Sequence, residues 1–345
     1  METILIVGGA GYIGSHVLLE LARLNRYKLI VFDNLVNGHK EALEIISQAT
    51  GAEIKLIVGD LKNFSEIDSV FKETKITKVI HLAALIEAGV SMEFPLKFFD
   101  NNIAGTINLL KAMQSNNVRK IVFSSTASVC GSPKSPIVTE LTTANPENWY
   151  AYSKYVVENI LRSLVLELTN PDQRIDSIIL RYFNAAGANP ELLIGQDYPR
   201  PTHLITLAVQ ASLGIREKLL IFGNDYPTAD GTCIRDYIHV SDLAAAHIKA
   251  LDFLSADGHS GSEIFNIGRG EGTSNLEVVK MMIDMFGEFK YEFAPRRPGD
   301  AINFYADSTK AHKILNWEAK YTLKDIIRDS YNWQKNNLKG YSGKK

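Results

Sequence analysis

Short apolar runs alternate along the chain with longer segments in which apolar residues recur every three or four positions. The short runs are bounded by polar or glycine-containing residues and predict β-strands, whereas the periodic segments predict helices. Strands separated by helices predict an α/β fold with a doubly wound parallel sheet, helices on both faces and ligands at the carboxyl ends of the strands. The predicted strands are 3–7, 28–32, 54–58, 78–82, 120–123 and 177–180, and the predicted helices lie around 64–73, 95–116 and 149–168.

The pattern changes after the sixth predicted strand. Glycine and proline become frequent over residues 187–201, and this change in composition predicts a domain boundary. We expect a first domain over 1–183 and a smaller C-terminal α/β substrate domain over 184–338, with 240–256 packing back on the first domain and 339–345 forming a solvated tail. The second domain has predicted strands at 219–222 and 264–267 and predicted helices near 203–214, 241–254, 274–286 and 322–335.

Composition places the chain among ordinary globular proteins. Its 345 residues suffice for one large or two modest domains, and 46% hydrophobic residues, 22% charged residues and a net charge of −2 give no bias toward nucleic acid or membranes. The chain enters its first strand without a basic segment and hydrophobic stretch of the secretory kind, so we expect a cytoplasmic protein. Cys130 and Cys233 fit neither a disulfide framework nor a metal-ligand spacing, so we expect buried free thiols and no metal.

A glycine-rich turn follows the first predicted strand. Residues 8–14 read Gly-Gly-Ala-Gly-Tyr-Ile-Gly and satisfy both Gly-x-Gly-x-x-Gly and Gly-x-x-Gly-x-x-Gly. Such a turn lets the backbone approach a pyrophosphate at the positive end of a helix, as in a Rossmann-like unit. The second strand ends at Asp33, where a carboxylate can accept hydrogen bonds from an adenosine ribose. Because a carboxylate repels a 2′-phosphate, the pattern favours NAD over NADP.

A tyrosine and a lysine, Tyr150 and Lys154, are spaced to lie one above the other on a helix. A phenol has a pKa of about 10, and an ammonium group beside it favours the phenolate, so the pair predicts a general base. Such pairs also occur on helices where they only pack, and the NAD motif before this one gives it weight. Arg235, Arg296 and Arg297 lie in or beside predicted loops, where guanidinium groups can clamp a diphosphate or simply remain solvated.

These motifs together resemble the extended short-chain dehydrogenase/reductase family, and within it the UDP-galactose 4-epimerases. The resemblance covers nearly the whole chain, and its last three motifs are specific to the epimerase branch. The motifs are Gly-Gly-Ala-Gly-Tyr-Ile-Gly-Ser-His at 8–16, Asp-Asn-Leu at 33–35, Asp-Asn-Asn at 100–102, Tyr150 with Lys154, Leu-Arg-Tyr-Phe-Asn at 180–184, Ile-Phe-Gly-Asn-Asp-Tyr-Pro-Thr at 221–228, Asp-Gly-Thr at 230–232 and Arg-Asp-Tyr-Ile-His-Val at 235–240.

The resemblance implies an isomerase of carbohydrate and galactose metabolism that interconverts UDP-glucose and UDP-galactose with bound NAD. Tyr150 would remove the proton of the sugar 4-OH as the C4 hydride passes to NAD+, while Lys154 would lower the pKa of Tyr150 and hold the nicotinamide ribose. Thr126, where these epimerases usually carry a serine, would bridge the 4-OH and Tyr150. The 4-keto sugar would then rotate and take the hydride back on its other face. A homodimer through the helices near 95–116 and 149–168 is also implied.

The same resemblance assigns residues to two parts of one site. The cofactor would contact Gly8, Gly11, Tyr12, Ile13, Gly14, Asp33, Asn34, Leu35, Asn37, Gly38, Asp60, Leu61, Leu82, Ala83, Ala84, Asn101, Tyr150, Lys154 and Phe183. The UDP-sugar would contact Thr126, Asn184, His203, Leu204, Leu220, Ile221, Phe222, Arg235, Arg297, Asp300 and Phe304. Phe304 would lie against the sugar C2 substituent, where a bulky residue disfavours N-acetylated sugars, or it is an ordinary core aromatic.

Three positions depart from the family pattern. Ile86 stands where a lysine usually contacts the cofactor, His203 where an asparagine is usual, and Cys130 where a tyrosine is common. Loss of the lysine removes a charge-assisted hydrogen bond of roughly 1.5–3 kcal/mol. We therefore expect NAD to exchange more readily than in the relatives, and substrate choice stays open.

Other functions remain as alternatives. Sugar-nucleotide 4,6-dehydratases carry Asp-Glu after the threonine, where this chain has Ala127 and Ser128, and related decarboxylases carry a glutamate at the second of these positions. Without that acid/base pair, elimination lacks its catalysts. The closest rival is a 4-epimerase of a UDP-N-acetylhexosamine or a UDP-hexuronic acid. A non-catalytic NAD-binding scaffold is the last alternative, and the intact set of Thr126, Tyr150 and Lys154 argues against it.

Overall fold

Strands and helices alternate through most of the chain in a computed structural model that describes residues 1–166, 168–191, 193–256, 259–297 and 301–343. The strands in these ranges are β1 (Glu2–Val7), β2 (Tyr27–Asp33), β3 (Ile54–Val58), β4 (Lys78–His81), β5 (Lys120–Thr126), β6 (Ile137–Val138), β7 (Asp176–Tyr182), β8 (Asn184–Ala186), β9 (Leu219–Phe222), β10 (Ile234–Arg235), β11 (Tyr237–His239), β12 (Ser262–Ile267), β13 (Thr273–Ser274), β14 (Tyr291–Ala294) and β15 (Asn303–Ala306). The helices are α1 (Tyr12–Leu24), α2 (Lys40–Thr50), α3 (Phe64–Glu73), α4 (Ala88–Glu93), α5 (Pro95–Phe98), α6 (Gly105–Ser115), α7 (Trp149–Ser163), α8 (Leu204–Ser212), α9 (Val240–Ser255), α10 (Asn275–Phe286), α11 (Thr309–Leu315) and α12 (Leu323–Asn336). A π-helical segment, Phe99–Ala104, joins α5 to α6, and 3₁₀ turns lie at Ala127–Cys130, Pro171–Gln173 and Gly340–Gly343.

Parallel strands form the central seven-stranded sheet of the described chain, in the order β12-β7-β5-β4-β1-β2-β3. Ile4 of β1, for example, lies beside Leu29 of β2 on one side and Lys78 of β4 on the other. All the strands predicted for the first domain belong to this sheet, so the predicted fold class is confirmed. The direction of winding reverses between β1 and β4, the kind of point at which doubly wound sheets bind ligands.

Helices cover both faces of the sheet because its strands present apolar residues on both sides. Ile4, Leu5, Ile6 and Val7 of β1 are all completely buried. Helices α1, α2 and α9 pack against one face, and α3, α6 and α7 pack against the other. Dense packing on both sides makes the strand ends a rigid frame for a site.

The chain returns to the first domain after crossing into the second. Helix α9 lies along α1, and its small residues Ala244 and Ala246 are buried in the same apolar cluster. Strand β12 then pairs with β7, with Phe265 beside Leu180. Residues 264–267, which the pattern assigns to the second domain, therefore complete the central sheet. Periodicity identifies a strand but carries no information about its partner.

The C-terminal part has an apolar core of its own. Helices α8, α10 and α12 surround a cluster that contains Val209, Val279 and Ile326. Helix α10 begins with a capping box in which Ser274 and Glu277 each accept a backbone N–H of the other residue. Around this core the short strands pair as β13-β10-β15-β6, β11-β8 and β14-β9. This part therefore presents its own strand ends and loops toward the first domain.

The C-terminal end differs from the solvated tail expected over 339–345. Tyr341 lies in the 3₁₀ turn and is only 2% exposed. Its ring centre lies 5.4 Å from that of Trp333. The prediction is wrong for Tyr341. The free energy gained by burying its aromatic ring outweighs the conformational entropy that a short terminal segment loses on ordering. Residues 344–345 lie outside the described residues.

Cys130 and Cys233 are buried free thiols. Among the described helices, none combines the length and the apolar character needed to cross a membrane. The described side chains also include no group of three or more His, Cys, Asp or Glu residues placed to hold a metal ion.

Candidate active site

The carboxyl ends of the central strands open into a cavity shared by the two parts of the chain. Its volume is about 970 Å³, at the upper end of the range for ligand pockets. Its wall includes the glycine turn and residues of β9, β10 and β15. The predicted residues that line it are Gly8, Gly11, Tyr12, Ile13, Gly14, Asp33, Asn34, Asn37, Gly38, Asp60, Leu61, Leu82, Ala83, Ala84, Asn101, Thr126, Tyr150, Phe183, Asn184, His203, Leu204, Leu220, Phe222, Arg235, Arg297 and Phe304.

Four predicted site residues are not found on the described wall. Ile221 is buried in the core of the C-terminal part, because its neighbours on β9 take the cavity face. Leu35 has a left-handed backbone, with φ of 59°, and packs toward the apolar cluster around α1. Lys154 is buried beneath the wall. Asp300 lies outside the described residues.

The glycine turn is shaped for close approach of a ligand to its backbone. Gly8 has φ of 84°, and a Cβ atom there would lie 2.5 Å from the Ala83 nitrogen. A Cβ atom on Gly14 would lie 2.1 Å from the Gly8 carbonyl oxygen, so only glycine fits where α1 meets β1. Helix α1 begins at Tyr12 with no acidic residue in its first turn. Its N-terminal N–H groups therefore suit a pyrophosphate, and the cradle fits a dinucleotide such as NAD.

Asp33, at the end of β2, joins the glycine turn to the next loop. Its Oδ2 accepts a hydrogen bond from the Ala10 N–H at 3.0 Å, and its Oδ1 accepts one from the Leu35 N–H at 2.9 Å. Gly38 packs on the same carboxylate, since a Cβ atom there would lie 2.8 Å from Oδ1. Burial raises the pKa of Asp33, and the two N–H groups oppose that rise. The carboxylate lines the cavity beside the cradle, where an adenosine ribose would lie.

Tyr150 and Thr126 are brought together on the cavity wall. Thr126 ends β5, and Tyr150 lies in the first turn of α7, which Asn148 caps by accepting from the Ala151 N–H at 2.9 Å. The Tyr150 and Thr126 side chains are hydrogen bonded to each other. Burial raises the pKa of Tyr150 to about 12, and the Thr126 hydrogen bond opposes that rise. The phenol therefore keeps its proton until an added positive charge favours the phenolate.

Lys154 lies one helical turn after Tyr150 and is almost completely buried. Its Nζ donates to the Ser124 carbonyl oxygen at 2.7 Å and lies 4.7 Å from the centre of the Phe123 ring. Burial lowers the pKa of Lys154 to about 7, and the Glu158 carboxylate opposes that shift. The Tyr–Lys spacing predicts a lowered pKa for Tyr150, but burial is the largest influence on the pKa of both groups.

A buried ion pair fixes helix α7 over the sheet beneath Lys154. Arg181 of β7 places Nη2 at 2.6 Å from Glu158 Oε2 and Nε at 3.0 Å from Oε1. Ser125 of β5 donates to the same carboxylate. Glu158 follows Lys154 by one helical turn. The contacts of Arg181 and Ser125 with its carboxylate therefore fix the position of α7, and of Lys154 on it, relative to the strand ends. The motif at 180–184 includes Arg181, but spacing alone does not reveal its partner.

Asn102 is a buried residue that the sequence reasoning does not single out. It lies in the π-helical segment, a rare turn that is frequent at functional sites. Its Nδ2 donates to the Leu85 carbonyl oxygen at 3.0 Å and to Ser153 Oγ at 2.9 Å, and its Oδ1 accepts from the Leu85 N–H at 2.9 Å. One amide therefore ties the loop after β4 to the helix that carries Tyr150. The Asp-Asn-Asn motif is the available signal for it.

Two arginines lie on aromatic rings where the C-terminal part forms the wall. Arg297 Cζ is 3.7 Å from the centre of the Phe222 ring, and Arg235 Cζ is 5.6 Å from that of Phe304. A planar guanidinium held over a ring is well placed to bind a diphosphate through its edge. The Phe304 ring centre also lies 5.3 Å from that of Phe183, within a small apolar cluster. Phe304 is therefore both a core aromatic and part of the cavity wall.

Polar side chains from the loops line the cavity around Tyr150. The rings of Tyr198 and His203 are stacked with centres 6.0 Å apart, and Gln196 Nε2 lies 3.3 Å from His203 Nδ1. Burial and, after it, the Glu87 carboxylate raise the pKa of Tyr198. Burial lowers the pKa of His203, and Glu87 opposes this. Sequence reasoning names His203 but misses Glu87 and Tyr198, because loops carry no periodic signal.

The fold and the site together define the class of protein. A parallel sheet with a glycine cradle after β1 binds a dinucleotide, and a hydrogen-bonded Thr126 and Tyr150 beside it suit chemistry at a carbinol. These are the parts of an NAD-dependent short-chain dehydrogenase/reductase. The arginine-bearing wall of the C-terminal part adds a place for a diphosphate.

Known proteins narrow the class. A family model described as GDP-mannose 4,6 dehydratase matches residues 5–330. The UDP-glucose 4-epimerase of Bacillus subtilis (strain 168) is 44% identical over 341 residues, which cover 98% of each chain. The structure of UDP-glucose 4-epimerase from Bifidobacterium longum in complex with NAD+ and UDP is similar with a TM-score of 0.93 and 39% identity, covering 98% of this chain and 99% of that one. The UDP-Glc/GlcNAc 4-epimerase of Campylobacter jejuni is similar with a TM-score of 0.82 and 40% identity, covering 97% of this chain and 100% of that one.

The chain belongs to the extended short-chain dehydrogenase/reductase family, and within it to the UDP-glucose 4-epimerases. The dehydratase in the name of the family model does not describe this site. Thr126 is followed by Ala127, which is buried, and by Ser128. Neither can supply the acid or the base that elimination needs.

Proposed function

We propose that this chain interconverts UDP-glucose and UDP-galactose with bound NAD, through transient oxidation at C4 of the sugar. The observation that carries the proposal is the position of Tyr150 and Thr126, which share one cavity wall with the glycine cradle and with Arg235 and Arg297. A hydroxyl pair between a dinucleotide site and a diphosphate site suits a sugar carbinol. Relatives named UDP-glucose 4-epimerase, 44% and 42% identical over 98% of this chain, support the same reaction. The enzyme is an NAD-dependent isomerase of galactose metabolism.

Tyr150 Oη takes the proton of the sugar 4-OH and later returns it. Thr126, hydrogen bonded to Tyr150, orients the 4-OH toward that oxygen. NAD+ bound at the glycine cradle would supply the acceptor for the C4 hydride and a positive ring charge that favours the Tyr150 phenolate. Lys154, anchored on the Ser124 carbonyl oxygen, adds a positive charge from beneath when it is protonated. Together these charges oppose the rise in the Tyr150 pKa that burial causes.

Inversion requires the 4-keto sugar to turn over while its UDP stays bound. Arg235 and Arg297 hold the diphosphate, so rotation occurs about the bonds between the diphosphate and the sugar. Ala127 and Ser128 offer no base to C5 and no acid to the C6 hydroxyl, so water is not lost across C5 and C6 and the C4 ketone is reduced instead. Tyr150 then protonates the C4 oxygen. Since each turnover restores the cofactor, the reaction needs no added oxidant or reductant.

The test is conversion of UDP-galactose to UDP-glucose by the purified protein without added reductant, followed by chromatography of the nucleotide sugars. We expect the same equilibrium mixture from either sugar. A 4-keto-6-deoxy product would identify a dehydratase instead. NAD binding without any conversion would identify a scaffold, and either result would contradict the proposal.

The N-acetylated sugars form the second candidate substrate pair. The structural relative named UDP-Glc/GlcNAc 4-epimerase, at 40% identity, favours it. Phe304 opposes it, because its ring fills part of the cavity wall. A UDP-hexuronic acid is opposed by Glu87, whose carboxylate lines the same cavity as Tyr150 and would repel a second carboxylate. Because the sugar ring turns over between the two epimers, its carboxylate would face two places on the cavity wall. The Glu87 carboxylate would therefore act on both epimers.

A homodimer through the segment at 95–116 and helix α7 is the assembly that we propose. Trp149 and Tyr152 of α7 are 39% and 41% exposed, and both pack against Phe99. An exposed aromatic cluster of this kind is typical of a protein interface. Light scattering should give the mass of a dimer, and Tyr152→Glu should shift it toward the monomer. Phe293→Glu, at an exposed aromatic of β14, is the matched control that should leave the dimer intact. A monomeric wild type would contradict the assembly.

A further inference from the structure

His39 connects two segments that line the cavity. The backbone N–H of His39 donates to the Ala10 carbonyl oxygen of the glycine turn at 2.9 Å. His39 directly follows Gly38, which lines the cavity. Its Nε2 lies 2.7 Å from the carbonyl oxygen of Asp197. Asp197 in turn precedes Tyr198, which lines the cavity on the other segment. The loop at 34–38 and the segment at 194–198 are therefore joined through one imidazole.

Tyr341, near the C-terminal end, closes over this junction. Its ring centre lies 4.8 Å from that of His39. Its N–H donates to Asp197 Oδ2 at 2.8 Å. Its Oη donates to the Gly195 carbonyl oxygen at 3.2 Å and accepts from the Gly195 N–H at 3.0 Å. One buried tyrosine thus contacts both segments through its backbone, its ring and its hydroxyl.

The fit around this tyrosine leaves no room for larger neighbours. Gly340 has φ of 59°, and a Cβ atom there would lie 2.0 Å from Asp197 Oδ2. A Cβ atom on Gly195 would lie 2.3 Å from the Trp333 ring. The turn itself is held to the end of helix α12, because the Gly340 N–H donates to the Asn337 carbonyl oxygen at 2.8 Å. The junction is therefore a rigid part of the fold.

We propose that Tyr341, His39, Gly195 and Asp197 form a C-terminal clasp that holds the loop at 34–38 against the segment at 194–198 and thereby slows the dissociation of NAD. This inference rests on the proposed NAD site and concerns residues to which neither the motifs nor the mechanism assigns a part. Tyr341 is a positioning residue, since it acts through His39 and Asp197 rather than on the cofactor.

Release of NAD is the step that the clasp controls. The loop at 34–38 and Asp33 lie at the adenosine part of the site, and the loop must move aside for a bound adenosine to leave. Its movement requires the contacts of His39 with Asp197 and Tyr341 to break. Contacts that must break during release affect the off-rate more than the on-rate. Without the clasp, the loop should open more often.

The experiment compares release of NAD from the purified holoenzyme of wild type, Tyr341→Phe and Tyr341→Ala, measured as loss of bound nucleotide after dilution into charcoal. Tyr341→Phe keeps the ring contact with His39 and loses both hydrogen bonds to Gly195, so we expect release about fivefold faster. Tyr341→Ala also loses the ring and should release NAD several-fold faster again. Added NAD should restore turnover of both variants.

The control separates positioning of the loop from general stability. Leu254→Ala removes a buried side chain at the far end of α9, near the amino ends of the strands, and should lower the melting temperature without changing NAD release. Equal release by wild type and Tyr341→Ala would overturn the clasp, as would an equally faster release from Leu254→Ala. A wild type that binds no NAD would instead overturn the proposed function.

Discussion

The two halves of the cavity are built in different ways. The dinucleotide half draws on residues 8–14 and 33–38, which follow adjacent strands and hold each other through the backbone and the Asp33 carboxylate. The sugar half draws on Thr126, Tyr150 and Phe304, which come from distant parts of the chain. The first half depends on backbone shape, and the second depends on single side chains. Cofactor choice should therefore resist substitution, whereas reaction and substrate choice should change with one residue.

The largest expected effect breaks the sugar half and spares the other. Tyr150→Phe removes one hydroxyl and keeps the packing of a buried ring, so turnover should fall 10²–10⁴-fold, the usual loss when general base catalysis is removed. NAD content and melting temperature should stay at wild-type values. Steady-state kinetics with UDP-galactose provide the measurement. A variant that kept more than about a tenth of the wild-type rate would show that Tyr150 is not the base.

The same division separates what the sequence predicts from what it does not. The glycine cradle, Asp33 and the Tyr–Lys pair follow from spacing, because each is a local motif on a periodic element. Tyr198 and Glu87 reach the cavity from loops, where neither spacing nor periodicity indicates which way a side chain points. The pairing of β12 with β7 is invisible for a related reason, since a strand does not encode its partner locally.

Tyr341 shows the remaining limit of sequence reasoning. Glycine and lysine around a tyrosine at 339–345 look like a solvated tail by composition. The tyrosine is buried because Gly195 offers its N–H and its carbonyl oxygen to the hydroxyl, and because Gly340 lets the turn pass close to Asp197. Complementarity between segments this far apart has no signature in either segment alone. The inner wall of the site is therefore predictable from motifs, and the contacts that hold it closed are not.

The second prediction concerns Lys154, which is buried one helical turn after Tyr150 on α7. Burial lowers the pKa of Lys154 from 10.5 to about 7 in the folded protein. Between these two pH values the unfolded chain therefore binds one more proton than the folded chain. Stability therefore rises with pH through this window, by at most about 1.4 kcal/mol per pH unit. In Lys154→Met this contribution is absent. Urea unfolding at pH 7, 8 and 9 should show wild type gaining stability relative to Lys154→Met at each step, and a constant difference would contradict the lowered pKa.

The third prediction sharpens the dependence of substrate choice on one side chain. Phe304 fills the wall beside Phe183, and overpacking of a tight site costs ~1–3 kcal/mol, or roughly one to two decades in rate. Wild type should prefer UDP-glucose and UDP-galactose over the N-acetylated pair by that margin, and Phe304→Ser should narrow it. His203 lines the same cavity and limits the volume that this substitution opens. The measurement is kcat/KM for both sugar pairs. Equal values in wild type would refute this role of Phe304 and favour the second candidate substrates.

The smallest expected effect tests whether the dinucleotide half resists single substitutions. Ile86 lines the cavity at a position where the family resemblance implies a lysine, so wild type should purify with NAD but lose part of it during dialysis. Ile86→Lys should slow that loss only a few-fold. The reason is Glu87, whose carboxylate accepts a hydrogen bond from the backbone N–H of Ile86 at 3.2 Å and would attract the new ammonium group away from the cofactor.

Ile86→Lys combined with Glu87→Ala should therefore retain NAD better than Ile86→Lys alone. The ratio of absorbance at 260 and 280 nm before and after dialysis measures retention. Full retention by wild type, unchanged in both variants, would mean that the backbone cradle alone decides how tightly this site holds its cofactor.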